Sequence, residues 1–159
     1  MPRGWKRSAR MTDGSVSEAE RETMREISPE ELNERMRGFA THTGVVIEAA
    51  TPGSGTVSLE LSEKTRNPNG TVHGGVYFTL MDVAAGVSGV FKEEGNRKIV
   101  SQCASVYFLR PAVSGKITAK AVLVRDGRRT ALSRVDVFDE KEKLLATGEF
   151  ELFYVDEMP

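Results

Sequence analysis

The sequence predicts an α+β protein in which one antiparallel sheet packs against a single long helix. Residues 74–91 are almost wholly apolar, which is typical of a buried helix. Two strand-like segments precede that helix and four follow it, each bounded by turn residues. The order is therefore a short helix, a hairpin, the long helix and then a meander of four strands.

The domain is expected to begin at a helix near residue 28. Residues 1–27 are polar and basic at their start, and we expect them to form a disordered extension before a single domain over residues 28–156. Ser28 suits an N-cap, Pro29 suits the first helical position and Glu31 completes a capping box. These signals predict a helix over residues 29–38.

The strands are read from alternation and turn signals. The hairpin is predicted over residues 43–51 and 56–62, with the turn Pro-Gly-Ser-Gly at residues 52–55. The later strands are predicted over residues 98–109, 115–125, 130–138 and 144–155, and Asp126-Gly127 is a hairpin turn signal. A membrane-spanning interpretation of the apolar segment is poor, because it is short, rich in glycine and contains an acid.

The composition limits the kinds of partner and catalytic group that the protein can use. The 159 residues suffice for one domain, with 39% hydrophobic and 28% charged residues and a net charge of -1. That charge gives no reason to expect a nucleic-acid partner. Two histidines and one cysteine, Cys103, exclude an internal disulfide and a zinc-finger site. We therefore expect no metal, a packed thiol in a reducing compartment, and chemistry carried by carboxylates, hydroxyls and backbone amides.

Asp82 is the first candidate for that chemistry. It is the only charged residue between Thr71 and Phe91. A carboxylate in an apolar helix is costly unless a partner or a reaction accounts for it. Either Asp82 is catalytic, or it is a buried acid satisfied by a cap or a backbone donor.

His73-Gly74-Gly75 is the second candidate, at the start of the long helix. Unpaired N–H groups and the helix dipole at that end favour negative charge, and they can polarise a carbonyl group. Paired glycines let a ligand approach the backbone closely, or they only let the chain turn tightly into the helix.

Spacing connects the two candidates. Asp82 follows Gly75 by seven residues, which is about 10 Å along a helix. One carbonyl group cannot easily contact both ends of that span within one chain. Two antiparallel copies of the helix would place Asp82 of one chain beside the Gly75 amide of the other. If both groups act on one substrate, the site is shared between subunits.

The pattern of Asn67, His73-Gly74-Gly75 and Asp82 resembles that of PaaI-like acyl-CoA thioesterases of the hotdog fold, the phenylacetate-pathway type. The segment at residues 101–111 (SQCASVYFLRP) also resembles the family strand that runs beside the helix. The resemblance spans roughly residues 30–155 and implies a sheet wrapped around the helix, acyl-CoA hydrolysis and no cofactor beyond the coenzyme A of the substrate.

The resemblance also implies residue roles. The Gly75 amide, together with that of Gly74, would polarise the thioester carbonyl, and Asp82 from the partner subunit would act as nucleophile or as general base. Asn67 would position the attacking water or the thioester end. His73 would hydrogen-bond near the thioester or hold the loop. Ser101 matches a hydroxyl that places the water in some relatives, and an ordinary strand serine is the alternative.

Coenzyme A carries phosphates that need cations. The resemblance implies that the substrate and its coenzyme A are bound by Gly74, Arg110, Pro111, Lys116, Arg128 and Arg129. Each of these cations is alternatively a solvated surface charge. A homodimer that pairs again into a homotetramer is implied, without a membrane partner, in the cytoplasm.

Two other functions stay open on the sequence. Hotdog hydratases and dehydratases of enoyl thioesters use a histidine base in different motifs, and an assay of hydration beside hydrolysis separates them. A non-catalytic protein that binds acyl-CoA would bind tightly without releasing free coenzyme A, which a thiol-reactive dye detects.

Overall fold

The computed structural model describes residues 28–90 and 98–155. The proposed extension at residues 1–27 lies outside the described residues. Three helices and six strands follow in chain order, with one 3-10 turn at Glu63–Thr65: α1 (Pro29–Arg35), α2 (Phe39–Thr43), β1 (Val46–Thr51), β2 (Ser54–Glu60), α3 (Gly74–Gly89), β3 (Lys98–Phe108), β4 (Lys116–Asp126), β5 (Thr130–Phe138) and β6 (Leu144–Val155).

The six strands form one antiparallel sheet in the order β1-β2-β4-β5-β6-β3. Helix α3 connects β2 to β3 and packs across one face of the sheet, so it forms the centre of the core. The buried side of α3 is formed by Tyr77, Leu80, Met81, Ala84, Ala85, Val87, Ser88 and Gly89. The α+β class and the single antiparallel sheet predicted from the sequence are confirmed.

The N-terminal helix is shorter than predicted. Helix α1 ends at Arg35, because Met36 adopts an extended backbone and Gly38 a positive φ of 68°. A second short helix, α2, then covers residues that the sequence assigned to no element, except Thr43, which was predicted to open the first strand. Gly44 ends it with φ 81°, a left-handed conformation that glycine adopts without strain. The predicted Ser28 cap is present, since its side chain accepts from the Glu31 N–H at 3.2 Å.

A close approach fixes α3 over the sheet. A Cβ atom at Gly55 of β2 would lie 2.7 Å from the Val87 side chain and 3.0 Å from the Ala84 carbonyl oxygen. Glycine at this position therefore lets the helix contact the strand directly. The buried hydroxyls of Ser88 and Ser133 hydrogen-bond at 2.9 Å and link the last turn of α3 to β5. Together these contacts hold the helix in one axial position.

The two edges of the sheet differ. At β1, the Asn33 side chain of α1 accepts from the Ile47 N–H at 2.9 Å and donates to the Ile47 carbonyl at 2.8 Å. This amide blocks the edge against another strand. Strand β3, at the other end, pairs only with β6. Its outer edge is eleven residues long, and no described residue covers it, so it offers unpaired backbone groups for another strand.

No helix in the described part of the chain has the length and hydropathy needed to cross a bilayer.

Candidate active site

Helix α3 leaves one stripe uncovered. Gly75 and Phe78 are exposed, and Thr79, Asp82 and Gly86 are half-buried. These residues recur three or four positions apart, so they lie on one face of the helix. The sequence predicts a helix that is apolar and buried on all sides, whereas the structure buries only the side that faces the sheet. The stripe is where a substrate or a second subunit can reach α3.

Asp82 lies on this stripe and has a partner in β3. The Ser101 hydroxyl donates to Asp82 Oδ1 at 2.5 Å. Ser101 faces the helix because it pairs with Leu152, whose side chain is fully buried on the same side of the sheet. The structure thus brings together two predicted site residues that are nineteen positions apart. The second carboxylate oxygen, Oδ2, is left to meet water or substrate.

Asn67 shapes the loop before α3. Its Oδ1 accepts from the backbone N–H groups of Asn69 at 2.9 Å and Thr71 at 3.2 Å, and its Nδ2 donates to the Thr71 hydroxyl at 2.9 Å. Asparagine commonly stabilises turns in this way. The side chain therefore locks the loop, and the second Nδ2 hydrogen is the one with which it would act on a substrate.

His73 is the N-cap of α3. Its Nδ1 accepts from the Gly75 N–H at 2.9 Å, while its own N–H donates to the Thr65 carbonyl at 2.8 Å. The sequence predicts the Gly75 amide as the group that polarises a carbonyl. In this conformation that amide is already hydrogen-bonded to His73, so the expected donor is occupied.

Gly74 supplies a different N–H group. The Val76 N–H donates to the His73 carbonyl at 2.9 Å, and the Gly75 N–H is taken by the imidazole. For the Gly74 N–H there is no acceptor among residues 28–90 and 98–155. The Phe108 ring lies beside it, 3.5 Å from where a Cβ of Gly74 would be. The start of α3 thus presents one open donor next to an exposed aromatic ring.

Arg110 and Pro111 lie near this helix end. The Tyr77 hydroxyl donates to the Arg110 carbonyl at 3.1 Å, and burial raises the pKa of Tyr77 to about 12, so the hydroxyl stays protonated. The Arg110 guanidinium donates through one nitrogen to the Leu144 carbonyl at 2.6 Å. Its side chain is exposed, which leaves the other nitrogens facing solvent beside the site.

Lys116 lies on the other side of the sheet. Its neighbour Ile117 is fully buried against α3, so Lys116 points away from the helix. There its ammonium pairs with Glu48 at 2.6 Å. Hydrogen bonds from Lys116 and then Ser58 lower the pKa of Glu48, and the Glu48 partner raises the pKa of Lys116. Lys116 is not brought to the helix start in this protomer.

Arg128 and Arg129 lie at the far end of the sheet. The Arg129 guanidinium covers the Phe153 ring at 5.7 Å, and the Tyr154 N–H donates to the Arg129 carbonyl. The Arg110 N–H instead bonds to Leu145, nine residues earlier in β6. Since β6 rises about 3.4 Å per residue, Arg110 and Arg129 bond to points that are about 30 Å apart along this strand. One protomer does not bring all the predicted phosphate ligands together.

Two other features differ from the sequence analysis. Cys103, expected as a packed thiol, is exposed, because it lies on the edge strand β3. Phe108, which the sequence did not single out, lies against the start of α3, 3.5 Å from where a Cβ of Gly74 would be. It is the last residue of β3, and this position next to a loop was the available signal. No group of three metal-binding side chains occurs within residues 28–90 and 98–155.

Comparison with known proteins supports the resemblance noted in the sequence. The sequence model of the thioesterase superfamily matches residues 69–146. A 1,4-dihydroxy-2-naphthoyl-CoA hydrolase of Listeria monocytogenes is 30% identical over 108 residues, which are 68% of this chain and 88% of the hydrolase.

Solved structures agree with these matches. A thioesterase from Haemophilus influenzae superposes with a TM-score of 0.77 at 26% identity. The match covers 83% of this chain and 93% of the Haemophilus chain. The N33D mutant of the phenylacetic acid degradation protein PaaI from Thermus thermophilus superposes with a TM-score of 0.67 at 29% identity. This match covers 74% of this chain and 98% of the Thermus chain. The chain belongs to the thioesterase superfamily, and it is a thioester hydrolase of the hotdog fold.

Proposed function

We propose that the protein hydrolyses acyl-CoA to a carboxylic acid and free coenzyme A. The observation that carries this proposal is the pairing of Asp82 with the Ser101 hydroxyl at 2.5 Å on the uncovered stripe of α3. Gly74, the residue before this stripe, supplies an open backbone donor at the start of the same helix. A carboxylate and an oxyanion donor on one surface are the two elements that thioester hydrolysis needs. The naphthoyl-CoA hydrolase name of the Listeria relative supports a CoA thioester as substrate.

The proposed site is shared by two subunits. Asp82 follows Gly74 by eight residues, which is about 12 Å along α3. If two α3 helices pack antiparallel about a two-fold axis beside Phe78, Gly74 of each meets Asp82 of the other, because a two-fold contact is reciprocal. Each dimer then holds two identical sites.

The edges of the sheet support this dimer. The amide of Asn33 blocks β1, whereas the outer edge of β3 is uncovered among the described residues. Pairing of two β3 strands would continue the sheet across the axis and bring the α3 stripes together. The far end of one sheet would then lie near the start of the partner helix. In that arrangement Arg128 and Arg129 of the partner subunit approach the side of the site where Arg110 lies. The phosphates of coenzyme A can then contact arginines from both subunits.

Hydrolysis follows from these positions. The thioester carbonyl oxygen accepts from the Gly74 N–H, and the dipole of α3 stabilises the negative charge that develops there. Asp82 of the partner subunit, oriented by the Ser101 hydroxyl on Oδ1, either attacks the carbonyl carbon with Oδ2 or uses Oδ2 to take a proton from the water that attacks it. Either attack forms a bond to the carbonyl carbon and gives a tetrahedral intermediate. The carbon–sulfur bond breaks as the tetrahedral intermediate collapses, and coenzyme A leaves as a thiolate that takes up a proton. An exposed free thiol at Cys103 fits a reducing compartment, and we place the protein in the cytoplasm.

Asp82 reacts by one of two routes that oxygen-18 separates. As a general base, it takes a proton from water, and the water oxygen enters the carboxylic acid product directly. As a nucleophile, Oδ2 forms a mixed anhydride that water then opens at the Asp82 carbonyl, so the first turnover leaves oxygen-18 in the protein. Mass spectrometry of the peptide that contains Asp82, after one turnover in labelled water, measures whether oxygen-18 has entered its carboxylate.

Release of coenzyme A tests the function itself. We expect the purified protein to liberate free thiol from acyl-CoA esters, measured with a thiol-reactive dye across short, medium, long and aryl acyl groups. Tight binding of every ester without thiol release would contradict the proposal and indicate a binding protein. Addition of water to an enoyl-CoA without thiol release would indicate a hydratase.

A charge at the two-fold axis tests the dimer. Phe78 is 43% exposed and its ring lies 5.6 Å from that of Phe150. In the proposed dimer, Phe78→Lys places two ammonium groups side by side, and like charges repel. We expect a folded monomer with greatly reduced thiol release. Phe78→Leu is the matched control, because it keeps an apolar side chain against Phe150, and light scattering should show it as a dimer. A Phe78→Lys protein that stays dimeric would contradict the placement of the axis.

A further inference from the structure

Strand β3 presents alternate side chains to α3. Val106 packs against the core, and Phe108 pairs with the buried Ala146 of β6, so both face the helix. The exposed Ser105 pairs with the exposed Glu149 and points to the opposite side of the sheet. In this part of β3, the residues that can enter the site are therefore those that share a face with Phe108.

A bulge shifts the alternation near the start of β3. Between Ser101 and Cys103, β3 advances by two residues while the paired strand β6 advances by one. The shift turns Ser101 toward α3, where its hydroxyl donates to Asp82. Without the bulge, the Ser101 side chain would point away from the helix, as that of Cys103 does.

Ser105 lies midway between the two ends of the site. Counted along the paired strand β6, Ser101 and Phe108 each lie three residue pairs from Ser105. At one end, Ser101 holds Asp82. At the other end, the Phe108 ring lies 3.5 Å from where a Cβ of Gly74 would be. A two-fold axis through Ser105 would therefore place Phe108 of one subunit opposite Ser101 of the partner subunit, and both side chains would lie on the helix side of the joined sheet.

The backbone of β3 suits this pairing. The Leu109 N–H donates to the Leu145 carbonyl of β6, and the bonding direction alternates along a strand, so Ser105 also bonds to β6. Ala104 and Val106 then direct their N–H and carbonyl groups to the outer edge, where no described residue pairs with them. Across the axis, the two copies of Ser105 would form a pair without backbone hydrogen bonds, in which the Cα atoms lie about 4.5 Å apart.

We propose that Ser105 lies on the two-fold axis of the dimer, and that Phe108 of each subunit contacts the thioester held between its own Gly74 and the partner's Asp82. This inference rests on the proposed function and adds an aromatic residue to the site. The Phe108 ring is 54% exposed in the protomer, although it contacts Tyr77 at 5.9 Å between ring centroids. Ligand pockets are lined mainly by apolar and aromatic side chains, so the exposed ring suits one wall of the shared site.

A disulfide at the axis tests the register without an assay of activity. Ser105→Cys in a Cys103→Ser background is expected to form one intersubunit disulfide under mild oxidation, because a Cα separation of about 4.5 Å suits a disulfide. Tyr107→Cys with Cys103 retained should also crosslink, since these two positions face each other across the axis in this register. Non-reducing electrophoresis of dilute protein measures both products.

The unmodified protein is the matched control for random oxidation. Its Cys103 thiol is exposed, but in this register it lies about 14 Å along the strand from the partner's Cys103, which is too far for a disulfide. We therefore expect no crosslink in the unmodified protein. A crosslink through Cys103 alone would overturn the register. Folded Ser105→Cys and Tyr107→Cys variants that both fail to crosslink would overturn it as well.

Substitutions of Phe108 test its contact with the substrate. Phe108→Ala removes most of the apolar surface of the ring, so we expect KM for acyl-CoA to rise by about tenfold. Phe108→Leu is the matched control, because it keeps an apolar side chain, and its KM should rise less. Circular dichroism melts separate a failure to fold from weaker binding. A folded Phe108→Ala protein with an unchanged KM would overturn the proposed contact.

A heterodimer of Asp82→Asn and Phe108→Ala subunits shows which carboxylate Phe108 serves. In the proposed arrangement one site contains both substitutions and the other contains neither, so we expect the unmodified KM and about half of the unmodified kcat. A KM as high as that of the Phe108→Ala homodimer would place Phe108 beside Asp82 of its own subunit and overturn the inference. If the Asp82→Asn homodimer is fully active, the proposed function fails, while the crosslinks still decide the register.

Discussion

Asp82→Asn is expected to lower kcat for acyl-CoA hydrolysis by about 10²–10⁴-fold, the usual contribution of a positioned general base. The amide cannot take a proton from water, and it is a poor nucleophile. Its Oδ1 can still accept from the Ser101 hydroxyl, which lies 2.5 Å from Asp82 Oδ1. The melting temperature and the oligomeric state should therefore change little, and stopped-flow thiol release measures the loss.

Ser101→Ala is the matched control for this prediction. It keeps the carboxylate and removes one hydrogen bond to a charged group, so we expect a smaller loss of about 10–100-fold in kcat. An Asp82→Asn protein that keeps more than a tenth of the turnover would contradict the role of Asp82. Equal losses in both variants would indicate that the carboxylate and the hydroxyl act as one unit, rather than the hydroxyl only orienting the carboxylate.

Gly74→Pro is expected to lower kcat by about 10²–10³-fold, the cost of removing one oxyanion donor. Proline has no N–H, yet it is favoured at the first position of a helix. His73 already has φ -70° and ψ 138°, which suit a residue before proline, and Gly74 is not among the glycines with positive φ. The substitution thus deletes one hydrogen-bond donor with little disturbance of the backbone.

Gly74→Ala is the control for the proline variant. It keeps the N–H and adds a Cβ that meets the Phe108 ring at an ordinary contact distance of 3.5 Å. We expect Gly74→Ala to retain most of its turnover and a melting temperature at or above that of the unmodified protein, because alanine favours helix. If both variants lose activity equally, the space at Gly74 matters and its N–H does not.

The periodic features of the chain could be predicted from sequence. The alternation of Val57, Leu59 and Leu61 and the apolar run of α3 each report local burial, and the confirmed sheet and helix follow from them. The helix over residues 39–43 was missed because it is short and two glycines with positive φ set its ends. A local pattern does not show which glycine adopts that backbone conformation.

The site was harder to predict in detail. The motif spacing identified Asp82, and the structure places Ser101 against it. Occupancy of the Gly75 amide by His73 depends on a side-chain rotamer, which spacing does not reveal. The direction of Lys116, by contrast, follows from local alternation, because its neighbour Ile117 is buried against α3. Sequence therefore predicts the residue types of this site better than the donors that are free in it.

The most direct test of the shared site is a heterodimer of Asp82→Asn and Gly74→Pro subunits, purified through two different affinity tags. Each homodimer should be nearly inactive. In the heterodimer, one site contains both substitutions and the other contains neither, so we predict about half of the unmodified turnover per dimer. If Asp82 and Gly74 of the same subunit acted together, every site would contain one defect. A heterodimer as inactive as the two homodimers would contradict the account.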